Sequence, residues 1–205
     1  IGSVAAQPHV EVGNVRHESS NGEDVAIADR DHLMDPVLLA RIQFAFTVSF
    51  HFLFPPLTIG VAWIIFYFMN RYRRTGDPAY AVQARFWTKL FAISFVLGVA
   101  TGITMEFQSG TNWAEFARFV GPIAGGPLAA EGVLAFFLES TFVGVLLFGW
   151  GRLSDRVLWL ASLLVAAGAT LSGFMIIVVN SWMQTPAGFE IDPVTGQAVL
   201  TDVWA

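Results

Sequence analysis

From residue 42 onward, long apolar runs alternate with short polar connections, and the runs are longer than the core helices of a small soluble domain. Residues 42–69, 86–107, 128–150 and 158–179 each exceed the roughly 18 residues that read as a membrane-crossing helix once isolated polar positions are allowed. The expected fold is all-α: a polytopic membrane protein with four transmembrane helices of a larger bundle. Pro55 and Pro56 interrupt the first run, and a kink is expected there, because membrane helices tolerate proline breaks. Gly98, Gly102, Gly144, Gly168 and Gly173 fall inside the runs, as small residues do where helices approach closely. Residues 1–33 are different in kind. They are polar and aperiodic, and they lack the basic start and apolar run of a signal peptide. They read as a disordered leader on a fragment whose natural start is Met34, with His9, His17 and His32 solvated.

The connections set an orientation. Residues 70–85 hold Arg71, Arg73, Arg74 and Arg85 against Asp77, and residues 151–157 hold Arg152 and Arg156 against Asp155. The connection between the second and third runs has only Arg118 and Glu115, and no Lys or Arg follows the fourth run. The positive-inside rule therefore places the two arginine-rich connections in the cytoplasm and the N-terminus outside.

Composition narrows the class. Hydrophobic residues make up 55% and charged residues 13% of the chain, against about 25% charge in an ordinary globular domain. A net charge of −5 gives no basic face for nucleic acid. The absence of Cys removes disulfides, thiolate metal sites and thiol nucleophiles. No Glu-x-x-His pair is present for a di-iron carboxylate bundle, and no glycine-rich nucleotide loop occurs.

The chemistry lies in polar residues within the apolar runs. The third run, LAAEGVLAFFLESTFVGVLLFGW, carries Glu131 and Glu139. A carboxylate in hydrocarbon costs at least about 2.5 kcal/mol, so each needs a partner, a cavity or a proton. At about 1.5 Å per residue, Glu131 lies roughly 5 Å and His51 roughly 14 Å from the outer end of its span, with Glu139 about 12 Å deeper than Glu131. Eight residues turn an α-helix through about 800°, which leaves the two carboxylates about 80° apart on one broad side. Ser140 follows Glu139, and Ser172 falls between the glutamates in depth, completing a polar ladder. Bland readings compete: the serines bond back to their own helices, His51 is a packed core residue, and Glu106 and Lys89 snorkel. The glutamates resist such a reading, because no intramembrane Lys or Arg is available at their depth. These residues support a proton- or cation-handling bundle, with a metal or haem at His51 as an added possibility.

The blocks RIQFAFTVSFHFLFPPLTIG, FWTKLFAISFVLGVATGITMEFQSGTNW, PLAAEGVLAFFLESTFVGVLLFGW and NSWMQTP, in that order, resemble subunit I of the cytochrome bd family of terminal quinol oxidases. The resemblance covers about residues 34–186. It implies a quinol:dioxygen oxidoreductase of the bacterial cytoplasmic (inner) membrane that takes its protons from the cytoplasm. The implied cofactors are low-spin and high-spin haem b, with haem d or, in the cyanide-insensitive branch, a second high-spin haem b. His51 matches an axial ligand of a high-spin haem iron. Glu131 matches a carboxylate beside the haem pair, and Glu139, Ser140 and Ser172 match the proton route toward it. Arg41, Lys89 and Glu106 match further polar positions, read as haem-propionate or structural partners. The implied partners are the second oxidase subunit, with a small single-helix subunit as a further candidate, quinol, dioxygen and the lipid bilayer. The family's low-spin haem ligands and quinol loop fall after Ala205, so the fragment alone is expected to be inactive. The competing reading is a proton- or cation-coupled transporter or channel fragment without haem.

Overall fold

The computed structural model describes residues 35–202, and the leader reading of residues 1–33 lies outside them. Contacts divide the chain at Arg41, and the packing described below is that of residues 42–202. Seven helical segments follow one another: α1 (Pro36–His51), α2 (Phe54–Thr75), α3 (Pro78–Thr111), α4 (Ala114–Glu131), a π-helical segment (Gly132–Glu139), α5 (Ser140–Phe148) and α6 (Asp155–Gln184). A small antiparallel hairpin of β1 (Phe189–Ile191) and β2 (Ala198–Leu200) ends the described chain. Among the described residues, four stretches are long and apolar enough to cross a membrane: Pro36–Thr75, Pro78–Thr111, Ala114–Phe148 and Asp155–Gln184.

All four begin before the bounds that hydropathy suggested and three also end after them, while the third stops at Phe148, just short of its expected end. The first is not a single kinked helix. It breaks at Phe52 and Leu53, and Pro55 and Pro56 sit in the first turn of α2. Proline lacks an N–H and clashes with the carbonyl four residues earlier, so the break falls just before the prolines rather than at them. Residues 114–127, expected as connection, are helical despite Pro122 and Pro127. Helix α4 then runs into the π-helical segment without a cap.

The tight α2–α3 turn has an explicit cause. Gly76 takes the left-handed conformation at φ +69°, and its N–H donates to the Tyr72 carbonyl. Asp77 then accepts from the Ala79 N–H at 2.9 Å, with Pro78 opening α3. Thr75 through Pro78 therefore stop one helix and start the next.

Near these arginine-bearing connections, α2, α3, α5 and α6 share an apolar core. Ile65, Met69, Phe91, Leu146, Leu158 and Val165 are each at most 1% exposed there. Arg85 stacks over Trp150 with its guanidinium carbon 4.3 Å from the ring centroid, and Arg73 stacks over Trp159 at 4.5 Å. At the opposite end, Val120 and Ala124 of α4 pack on Val179 of α6. The hairpin closes over α4 through a hydrogen bond from the Gln197 amide to the Arg118 carbonyl. The two extremities are called below the arginine end and the hairpin end. Large side chains such as Phe46, Phe52 and Phe107 stay exposed along the apolar stretches, as lipid-facing residues do.

Candidate functional site

Helix α3 is the scaffold on which the polar residues toward the hairpin end are hung. His51 is the last residue of α1, and its Nδ1 lies 2.9 Å from the Thr101 hydroxyl of α3. The contact is close because α3 offers glycine on this face: a Cβ at Gly102 would lie 3.1 Å from His51 Cε1, and one at Gly98 would lie 3.3 Å from Phe54 Cβ. One helix turn separates Gly98 from Gly102, so both strip the same side of α3. Further toward the hairpin end, the buried Gln108 donates to the Thr47 hydroxyl at 3.0 Å, and Asn112 donates to Gln43 at 3.1 Å. Three cross-helix hydrogen bonds therefore hold the residues around and before His51 in register with α3.

The two glutamates are placed by the third membrane stretch. Glu131 closes α4 and is half-buried; Glu139 closes the π-helical segment and is 4% exposed. The i→i+5 bonding of a π-helix turns the chain less per residue than an α-helix does, which narrows the offset between the carboxylates. Glu139 lies within electrostatic range of Glu131, and Glu131 within range of Glu106 on α3. Glu106 follows Thr101 by five residues, so it stands about 7 Å along α3 toward the hairpin end from the level of His51.

Glu139 fits against α6 where that helix has no side chain. A Cβ at Gly168 would lie 3.5 Å from Glu139 Cγ and 2.7 Å from Leu138 Cδ2. Ser172, buried at 7% exposure, follows Gly168 by four residues, roughly 6 Å along α6. Ser172 therefore lies toward the hairpin end from the level at which Glu139 meets α6. Ser140 differs. It is exposed, and its hydroxyl donates back to the Phe137 carbonyl at 3.4 Å.

The remaining candidates scatter. Arg41 is an exposed residue of α1, and Glu106 is exposed on α3. Lys89 is also exposed and lines a cavity of about 140 Å³ with Arg85, Thr88 and Trp150 at the arginine end. It lies twelve residues before Thr101, about 18 Å along α3 from the level of His51. Among the described residues, no three His, Cys, Asp or Glu side chains gather as a metal cluster. What the structure shows is one imidazole held on α3 and a run of carboxyls, Glu106, Glu131 and Glu139, each within electrostatic range of the next. Thr101 was not singled out from the sequence; the within-span glycines were the available signal.

The chain matches a family model described as cytochrome bd terminal oxidase subunit I over residues 39–205. It is 51% identical over 162 residues to the cytochrome bd-II ubiquinol oxidase subunit 1 of Escherichia coli (strain K12), covering 78% of this chain and 32% of that protein. It is 45% identical over 172 residues to the cytochrome bd ubiquinol oxidase subunit 1 of Bacillus subtilis (strain 168), covering 84% and 36%. The solved bd oxidase structure from Geobacillus thermodenitrificans superposes with a TM-score of 0.73 at 34% identity, covering 82% of this chain and 38% of that one. The chain spans about a third of the length of the curated relatives it matches.

Proposed function

Because this chain belongs to the cytochrome bd terminal oxidase subunit I family, we propose that it supplies a haem-holding and proton-relaying portion of a quinol:dioxygen oxidoreductase. The carrying observation is His51: a half-buried imidazole anchored through Nδ1, with no hydrogen bond to its Nε2 among the described residues. That donor set fits an axial haem ligand, which needs one neutral imidazole nitrogen and a flat approach. The glycine-stripped face of α3 seats one edge of the ring. Haem, when bound, supplies the electron transfer to dioxygen, and in this family the types are haem b with haem d or a second high-spin haem b.

This chain's own residues position the haem and move protons. Reduction of dioxygen to water consumes protons in a dry interior, so protonatable groups must bridge toward the site. Desolvation favours the proton-carrying form of a carboxyl group, and general acid–base exchange requires such groups in sequence. Glu139, Ser172 and Glu131 form that sequence, with waters filling the gaps between them; Ser140, bonded to its own helix, adds a hydroxyl beside Glu139. Under the positive-inside rule the arginine end faces the cytoplasm, so Glu139 is the entry and Glu131 the delivery group. Arg41 and Glu106 are assigned to the haem surroundings. Lys89, far along α3, is a polar partner near the arginine end. The second subunit, a small single-helix subunit, quinol and the bacterial cytoplasmic membrane complete the assembly.

The test is spectral. In the full-length oxidase, His51→Ala should remove one high-spin haem signal and lower the haem content measured as pyridine haemochrome. An unchanged haem spectrum would sink the ligand assignment. A protein without any haem would instead support an ion-coupled transporter.

A further inference from the structure

We propose that Thr101 and Gly102 are positioning residues that fix His51 in its Nδ1–H tautomer and leave the Nε2 lone pair free for the iron. The inference rests on the reading of His51 as an axial ligand. It is carried by a hydrogen-bond count. The Thr101 hydroxyl lies 2.9 Å from His51 Nδ1, 2.9 Å from the Leu97 carbonyl and 3.0 Å from the Gly98 carbonyl. A hydroxyl has one proton to donate, while a carbonyl oxygen only accepts.

If Nδ1 carries the ring proton, two hydrogen bonds form: Nδ1–H donates to Oγ1, and Oγ1–H donates to a carbonyl. If Nε2 carries it, the hydroxyl must turn away from the carbonyls to donate to Nδ1. That leaves an Nε2–H with no acceptor among the described residues. In an apolar span an unsatisfied donor is strongly disfavoured, so the first tautomer is retained.

Gly102 fixes the ring's position as Thr101 fixes its proton. A Cβ there would stand 3.1 Å from Cε1, 3.8 Å from Nδ1 and 3.9 Å from Nε2. A side chain there would push the ring edge back by a few tenths of an ångström. The α1–α2 break at Phe52 and Leu53 begins at the next residue. His51 is thus the end of one rigid helix pressed against another.

Donation from Nδ1–H raises the basicity of the coordinating nitrogen. Loss of that bond should weaken the iron–nitrogen bond and raise the midpoint potential of the haem.

The experiment uses the complete, purified oxidase carrying Thr101→Val, Thr101→Ser, Gly102→Ala or His51→Ala. Resonance Raman of the ferrous enzyme reads the iron–histidine stretch, and spectroelectrochemistry reads the potential. Thr101→Val should lower the stretching frequency, raise the potential and weaken haem retention on the order of tenfold. Thr101→Ser, which keeps the hydroxyl, should restore all three. Gly102→Ala keeps the hydroxyl but displaces the ring, so it should shift the same band even if Thr101→Val fails to assemble. The proposal is overturned if His51→Ala removes the high-spin signal while the Thr101 and Gly102 variants keep the parental band and potential. If His51→Ala itself leaves the spectrum unchanged, the ligand reading fails and the positioning role falls with it.

Discussion

The arginine end and the hairpin side of the bundle bury different kinds of polar group. Near the arginine end, Thr88 and Ser162 are buried, yet each hydroxyl is spent on its own helix, on the Ala84 and Trp159 carbonyls. Around them Ile65, Met69, Phe91, Leu146, Leu158 and Val165 close an apolar core. From mid-span toward the hairpin end, buried polar groups keep unspent capacity. The Gln108 carbonyl oxygen has no partner, and no described side chain donates to Glu139. His51 is bonded on one nitrogen only. The arginine end also leaves two buried indole N–H groups, those of Trp150 and Trp159, without an acceptor. What sets the hairpin side apart is therefore the kind of group left open: an amide oxygen, a carboxyl and an imidazole nitrogen, beyond indole donors. The contrast separates a packed half that holds the helices from a more open half to which the proposed chemistry is assigned.

Breaking the open half should have the largest effect. A Cβ at Gly168 clashes only with the flexible tip of Leu138 and meets Glu139 Cγ at ordinary contact distance, so Gly168→Ala should be absorbed by a rotamer change. Gly168→Val has no such escape and should displace Glu139. Oxygen consumption by the full oxidase should fall on the order of tenfold to hundredfold, because misplacement by about 1 Å costs that much, while haem content persists. A wild-type rate in Gly168→Val would show that the position of Glu139 is immaterial.

Breaking the packed half should cost stability and spare the chemistry. Phe91→Ala removes a side chain that is 1% exposed. Within a bilayer the cavity term dominates, about 2 kcal/mol at roughly 24 cal/mol per Å³. Thermal or detergent unfolding should register that loss while the high-spin haem spectrum stays parental. An altered spectrum with unchanged stability would dissolve the division between the halves.

The smallest effect belongs to the hairpin. The Val194 N–H and the Thr195 hydroxyl, both bonded to the Asp192 carboxylate, hold it below the ordinary aspartate range. A folded value below the unfolded one stabilises the turn above the unfolded value, about 3.9. That contribution is lost as pH falls through the folded value. Hydrogen exchange of the hairpin amides should therefore rise in acid, and Asp192→Ala should flatten that dependence. Acid-insensitive protection in the parent would remove this role.

Much of this contrast was legible in the sequence, for physical reasons. Hydropathy marks a span strongly, so all four were found, and placing Ser172 beyond the level of Glu139 needed only a constant rise per residue. The helix ends were not legible: α3 continues well past its apolar residues in both directions, supported by the Asp77 cap rather than by hydropathy. Pro122 and Pro127 read as breakers, yet they lie within α4. The π-helical segment has no compositional mark, so the offset of the glutamates could only be taken from an ideal α-helix. Strands as short as Phe189–Ile191 carry too little alternation to detect. Thr101 escaped because its role depends on the cross-helix register of α1 and α3, to which Gly98 and Gly102 gave only an indirect sign.

The central claim is that the open half carries protons through Glu139 to the haem-holding site beside His51. Proton uptake in a single turnover of the fully reduced, full-length oxidase with dioxygen tests it most directly. Glu139→Gln, isosteric but unable to exchange a proton, should slow uptake by at least about tenfold with the haem spectra unchanged, and Glu139→Asp should recover part of the rate. Uptake at the parental rate in Glu139→Gln would contradict the account.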